Sequence, residues 1–239
     1  MSMRPSNTLD ALRWFSRPDA RRLMAGAQAQ IEERLGRAFG CWGLHLMPGP
    51  GVDLPPLAHR VSRLLAMHRC EWRPGQESAS GSARGLTGVV RCRDDQLPFV
   101  DAGMALVVAQ HVLETSEHPR ALIASLARLI EPEGTLVLLI LNPWSPLRWR
   151  WRGRRIRPPS RAQVRVWLGE NDLTIESEDW VGGHARIGRT ISARALGSIR
   201  PWHRLRFARL IVARRHQPGL TPLPAGRPGL RLGAGVGAR

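Results

Sequence analysis

Apolar positions along this 239-residue chain change their period near residue 40. Upstream, "SRPDARRLMAGAQAQIEERLGRAFG" predicts a helix, with Ser16 as its cap, Pro18 in its first turn and Gly40 as its stop. Downstream, apolar residues come in short runs between breakers. "CWGLHLM" (41–47) reads as a strand, "LAHRVSRLLA" (57–66) as a short helix, "MHRCEW" (67–72) as a weak strand and "LTGVVRC" (86–92) as another strand. "RPGQESASGSARG" (73–85) reads as a Gly/Ser loop.

The middle of the chain has the strongest pattern. "GMALVVAQ" (103–110) and "TLVLLIL" (135–141) are apolar at consecutive positions, as strands buried on both faces must be. Between them "PRALIASLARLI" (119–130) predicts a helix with Pro119 in its first turn and Leu122, Leu126 and Leu129 on one face. "EPEG" (131–134) reads as a turn. Ser160 and Gln163 have the spacing of a capping box at the head of the helix 160–171. "LTIESEDW" (173–180) reads as a strand, and "LRFARLIVARR" (205–215) as a last, antiparallel strand. Two-sided strands alternating with helices predict an α/β fold: a doubly wound, mostly parallel sheet with helices on both faces. The organisation expected is an N-terminal helical segment (1–40), one α/β domain (41–215) and a disordered Pro/Gly/Arg-rich tail (216–239).

Charge changes the picture at one end. The net charge is +17, the chain has no lysine, and 12 arginines but no acidic residue follow Asp179. Such a field favours RNA, DNA or an anionic surface. The segment "RWRWRGRRIR" sets Arg148, Arg150, Arg152, Arg154, Arg155 and Arg157 around Trp149 and Trp151, without a regular period. Arginine pairs with phosphate and tryptophan stacks on bases, although arginine stems also cover tryptophan faces on ordinary loops. No apolar run is long enough to span a bilayer. The three cysteines, Cys41, Cys70 and Cys92, form no paired framework and no zinc-binding spacing, so a reducing cytoplasm is expected.

The stretch from Leu97 to Pro143, "LPFVDAGMALVVAQHVLETSEHPRALIASLARLIEPEGTLVLLILNP", carries a resemblance. Leu97-Pro98-Phe99, the strand Ala102–Val108, His111-Val112-Leu113-Glu114, the helix opening at Pro119, the turn Glu131–Gly134 and the strand Thr135–Leu141 occur in the order seen in class I S-adenosylmethionine-dependent methyltransferases. The resemblance is to their type-11-like bacterial group. It implies a Rossmann-like sheet and S-adenosyl-L-methionine as cofactor. In that family the first strand ends on an acid followed by three alternate glycines. Here His45 and Met47 stand at the acid and first-glycine positions, while Gly49 and Gly51 remain. Arg93 stands where an acid would meet the adenine amino group, beside Asp94 and Asp95. The Gly/Ser loop replaces the helix between the second and third strands.

The residues themselves support part of this reading. In an open α/β sheet a ligand sits beyond the carboxyl ends of the strands, where strand order reverses. Gly49 and Gly51 admit close approach of backbone to a ligand. Glu71, 20 residues after Gly51, has the spacing of a ribose-binding acid, or is a solvent-facing glutamate. Gln110, His111 and Glu114 follow the fourth strand at the lip of the same crevice. His111 is the candidate base for an acceptor with a proton to lose, or a hydrogen-bonded histidine closing the strand end. The expected cofactor-binding set is therefore Gly49, Gly51, Glu71, Asp94, Asp95 and Gln110. The expected activity is methyl transfer from S-adenosyl-L-methionine to an unidentified acceptor. The alternative is a methyltransferase-like fold that has lost its cofactor and binds polyanions. His68 and Cys70, with no second ligand pair, read as structural.

Overall fold

The computed structural model describes residues 14–49, 57–71, 87–93, 95–146, 148–151, 156–182, 184–186, 189–191 and 206–216. After helix α1 (Pro18–Leu35) come strands β1 (Phe39–Met47), β2 (Arg60–Glu71), β3 (Thr87–Cys92) and β4 (Met104–Gln110). Helix α2 (Pro119–Leu129) and strand β5 (Ile130–Leu141) follow, then the short helix α3 (Arg148–Trp151) and helix α4 (Arg161–Gly169). Strands β6 (Leu173–Val181), β7 (His184–Arg186), β8 (Arg189–Ile191) and β9 (Ala208–Arg215) complete the order.

Seven strands form one sheet in the order β3-β2-β1-β4-β5-β9-β6, and β7 pairs with β8 separately. Strands β1 to β5 are mutually parallel, and β9 runs antiparallel to both β5 and β6. The order turns back between β1 and β4, which is the switch point of a doubly wound sheet. Strand β4 is buried along its whole length because helices cover both faces. On one face Leu23, Met24, Ile31 and Leu35 of α1 pack with Leu106, Val108, Val137, Leu139 and Leu210. On the other, Leu122, Leu126 and Leu129 of α2 and Val164 and Leu168 of α4 pack with Leu44, Val107, Leu138 and Ile211. The expected sheet, its antiparallel last strand and the two-sided cover are all present.

Four local expectations are corrected. Residues 60–66, expected to be helical, open strand β2, which runs on to Glu71. Val61, Leu64 and Leu65 fit either period, and pairing decides: Gly43↔Leu64, Leu44↔Leu65 and Leu46↔Met67 lie in register. Helix α1 starts after Arg17, with no side-chain cap, and stops at Leu35 with Gly36 behind it. Gly40 lies inside β1, where an added Cβ would come 2.2 Å from the Ala105 Cβ of β4. Close approach of two strands, not helix termination, requires that glycine. Residues 131–134 are not a free turn but an irregular start to β5, with Glu133 at φ 63° and a register shift opposite Met104 to Leu106. Finally, "RWRW" is a turn of helix. The Gly/Ser loop and the C-terminal tail expected from the sequence lie outside the described residues.

Candidate active site

The strand order reverses between β1 and β4, so their carboxyl ends are where a doubly wound sheet holds a ligand. Strand β1 delivers His45, Leu46 and Met47 to that end, followed by buried Gly49. The Gly49 carbonyl accepts a hydrogen bond of 2.9 Å from His68 Nδ1 on the neighbouring strand, which pins the start of the loop. Three residues past His68, Glu71 ends β2, paired with Cys92 of β3. The register therefore carries Glu71 beyond the end of β1, since Met47 lies opposite His68. Gly51 and Asp94 lie outside the described residues. Asp95 is exposed and bound by both Nε and Nη2 of Arg93, at 3.1 and 3.2 Å.

At the acid position, His45 meets Gln110. Its Nε2 lies 3.0 Å from Gln110 Oε1, and both side chains are buried. Since Oε1 only accepts, His45 Nε2 carries the proton. Burial lowers the His45 pKa from 6.5 to about 4; the Gln110 bond opposes this, and nearby His68 adds to it. The pair is neutral where the family has a negative charge. Gln110 Nε2 is buried and has no hydrogen-bond partner among the described residues. It is an unused donor at the carboxyl end of β4, beside the switch point of the sheet.

The next residue turns sharply. His111 has φ 55°, a region that costs a residue with a side chain roughly 1–2 kcal/mol. Its backbone N–H is held by the Leu139 carbonyl at 2.8 Å. Its Nδ1 lies 2.9 Å from Glu114 Oε1, which also accepts the Leu141 N–H at 2.8 Å. Both side chains are wholly buried. A carboxylate facing Nδ1 fixes the proton there and leaves a lone pair on Nε2. That Nε2 has no hydrogen-bond partner among the described residues. The ring sits between Phe15 and Phe207, with centroids 5.3 and 5.6 Å away. Trp14 packs edge-on against Phe15 at 4.9 Å and against Trp151 at 5.3 Å. His111 is thus oriented as a base is oriented, but behind an aromatic wall. The sequence did not single out Trp14, Phe15 or Phe207. Helix amphipathicity stops short of the first two, and only tertiary packing sets them over β4.

The basic segment divides. Trp151 is buried against Trp14, and Arg150 binds Asp19 of α1 at 2.6 Å, so half of "RWRW" is a clasp between α3 and α1. Arg148 and Arg157 are exposed, and Trp149 is 65% exposed with the Arg150 guanidinium 5.5 Å over its ring. Arg152, Arg154 and Arg155 lie outside the described residues. A separate cavity of about 600 Å³ opens at the amino ends of the strands, lined by Ala102, Asp172, Thr174 and Arg215 among others. It lies at the opposite end of the sheet from the crevice. No group of metal-binding side chains occurs among the described residues. No described helix is long and apolar enough to cross a membrane.

Sheet order, switch point and the crevice at β1 and β4 define the class: this is the fold of S-adenosylmethionine-dependent methyltransferases. Residues 44–138 match the family described as "Methyltransferase domain". That segment carries the match to a methyltransferase domain, and no acceptor is identified by it. A Haloferax volcanii methyltransferase, solved in complex with the Trm112 methyltransferase activator, is 16% identical with a TM-score of 0.59 over 90% of this chain and 99% of that one. An S-adenosylmethionine-dependent methyltransferase from Mesorhizobium loti is 16% identical, with a TM-score of 0.53 over 81% and 100%. The geranyl diphosphate C-methyltransferase of Streptomyces coelicolor, solved with S-adenosyl-L-homocysteine, is 14% identical with a TM-score of 0.50 over 79% and 78%. At these identities the likeness is one of fold. No curated protein sequence matches the chain.

Proposed function

We propose that this chain binds S-adenosyl-L-methionine in the crevice at β1 and β4, with Gly49, Gly51, Glu71 and Gln110 as its contacts and Asp94 and Asp95 at the rim. The observation that carries the reading is the unpartnered, buried Gln110 Nε2 beside the loop that opens at Gly49. A buried donor without a partner costs about 1–3 kcal/mol, which a polar ligand group recovers. The neutral His45–Gln110 pair fits the cofactor as a donor site, where the family's acid is an acceptor site. When bound, the cofactor supplies an activated methyl group; the protein supplies orientation and, at His111 Nε2, a lone pair for the acceptor's proton.

Calorimetric titration with S-adenosylhomocysteine tests this. Binding is expected, and a concentration of 100 times Kd raises stability by about 2.7 kcal/mol. Gln110→Leu should weaken that binding by about tenfold, the cost of one hydrogen bond in a dry site. No heat and no thermal shift at millimolar ligand would refute the assignment. His111→Asn should leave S-adenosylhomocysteine binding within about twofold while reducing turnover by about a hundredfold, the usual contribution of a positioned base.

A second reading concerns partners. Exposed Trp149, Arg148 and Arg157, with the net charge of +17, support binding to single-stranded RNA or another polyanion, in a reducing cytoplasm. Filter binding to a single-stranded RNA should weaken by about 300-fold between 50 and 200 mM salt if roughly six phosphates are contacted. Salt-independent retention would remove this reading and leave the cofactor site untouched.

A further inference from the structure

At the amino ends of β1 and β2, away from the proposed cofactor site, two aromatic rings stand on the surface. Phe39 is 61% exposed and Trp42 is 37% exposed. Each has an arginine of the neighbouring strand over its ring. Arg60 lies 5.4 Å from the Phe39 centroid, and Arg63 lies 5.2 Å from that of Trp42. The register makes both pairs, since Phe39↔Arg60 and Trp42↔Arg63 are partners in the parallel ladder. A Cβ on Gly40 would meet Ala105, and one on Gly43 would meet Leu64 and Val61. Ala105, Val61 and Leu64 pack in the core beneath α1, so Gly40 and Gly43 face that side. Adjacent side chains on a strand alternate. Phe39, Trp42, Arg60 and Arg63 each adjoin one of these inward positions, so all four share the opposite face, where Leu44 packs toward α2 and α4.

That face is bare at this end. The connection from β3 to β4 contains no helix among the described residues. Its charge has one sign. Between Gly36 and Cys70 the chain carries four arginines and a single acid, Asp53. Arg37, Arg60 and Arg63 are exposed, and neither Arg60 nor Arg63 has a carboxylate partner among the described residues. Arg34, Arg120 and Arg161, by contrast, are paired with acids. A guanidinium over a ring spends none of its N–H donors on that contact. Those donors match phosphate in parallel pairs of hydrogen bonds. Ring and guanidinium are also planes on which a nucleic-acid base stacks. Two such pairs, three residues apart on a strand, are spaced by roughly 10 Å. A polymer of planes and phosphates meets both needs. An apolar protein face would bury two guanidiniums without counter-charge, and an acidic polypeptide would leave the rings unused.

We infer that the pairs Phe39–Arg60 and Trp42–Arg63 form a binding platform for single-stranded nucleic acid. Each ring takes one base, and Arg60 and Arg63 take phosphates of the same strand. The strand is single because a duplex hides its base faces. The platform lies at the opposite end of the sheet from the proposed cofactor site, so it holds a nucleic acid without filling that site. This deepens the polyanion reading with residues other than Trp149, and it needs no cofactor.

The test is fluorescence anisotropy of a labelled oligouridylate with the full chain at low salt. Trp42→Leu and Phe39→Leu keep an apolar side chain and remove the ring. Each should weaken binding at least about fivefold, the contribution of the weakest stacked base. Arg63→Gln should weaken it too, and should lower the salt slope by about 0.7, the value for one phosphate on a single strand. Inorganic polyphosphate has the charge without the bases, and it should bind the natural chain and Trp42→Leu alike. Thermal unfolding of the ring variants should match that of the natural chain, which separates a lost contact from a lost fold. Oligouridylate held equally by the natural chain and both ring variants overturns the inference. So does polyglutamate bound as tightly as oligouridylate, which would assign the surface to an acidic protein. If Trp149→Leu abolishes binding and the ring variants do not, the Trp149 reading stands and this one falls. The reverse pattern keeps the platform and removes Trp149. Absence of binding at low salt refutes both and leaves the cofactor reading untouched.

Discussion

At the residue scale, the decisive substitution is histidine for an acid at position 45. A buried carboxylate there would need a charged or multiply donating partner, whereas neutral His45 is satisfied by one amide. The same burial has a consequence for stability. His45 has a folded pKa of about 4 against 6.5 when unfolded, so between those values the unfolded chain binds more protons. Its contribution is therefore complete above pH 6.5, declines as pH falls and is gone near pH 4. Urea denaturation at pH 7 and pH 4.5 should reveal a loss of about 2.4 kcal/mol beyond that of His45→Gln, following from 1.36 kcal/mol per pKa unit. A His45→Gln chain with the same pH slope as the natural one would contradict the assignment. Gly40 belongs to this scale as well. Gly40→Ala puts a methyl group into Ala105 and should cost about 1–3 kcal/mol, read as a lower denaturation midpoint with an unchanged m-value.

At the element scale, two helices are attached by different physics. Helix α4 carries the capping box expected from its sequence: Ser160 Oγ accepts the Gln163 N–H at 3.2 Å, and Gln163 Oε1 accepts the Ser160 N–H at 2.9 Å. Ser160→Ala should cost about 1 kcal/mol in thermal unfolding. The same helix is held to the sheet by Glu178 of β6, which receives Arg161 at 2.8 Å and Arg165 at 2.9 Å, with buried Arg209 of β9 at 3.7 Å. Burial works against charge on Glu178, but the guanidiniums of Arg165 and Arg161 hold its pKa below the ordinary carboxylate value. Exposed Arg161 contributes little by itself. Glu178→Gln instead leaves Arg209 buried without its counter-charge and should cost about 3 kcal/mol or more in chemical denaturation. Helix α1 is attached mainly by packing, as Leu23, Met24, Ile31 and Leu35 show.

At the scale of the whole molecule, much of the fold is legible in the order of residues. Strands β4 and β5, helix α2 and the antiparallel β9 follow from runs with one unambiguous period. The exceptions have a common cause. Residues 60–66 satisfy two periods, and a neighbouring strand rather than propensity chose between them. Gly40 and Glu133 look like punctuation in one dimension, yet they serve strand contacts in three. "RWRW" reads as one basic surface, and the fold splits it between a buried clasp and an exposed face.

The candidate site divides in the same way. Sequence alone determined the residue types at the end of β1 and β4, because spacing along a strand fixes which side chains reach its carboxyl end. It also led to the expectation that Gly49, Glu71 and Gln110 lie toward the carboxyl ends of β1, β2 and β4 near a switch point, because a parallel sheet with this alternation has few topologies. Only tertiary structure decided that His45 and Gln110 share a hydrogen bond, that Glu114 fixes the His111 tautomer, and that Phe15 packs on the His111 ring with Trp14 behind it. Those pairs are separated by 65, 3 and nearly a hundred residues, respectively, and the longest of them leave no periodic trace in the chain. A hydrogen bond between buried groups depends on where two backbones come to rest, and that position is a property of the packed sheet.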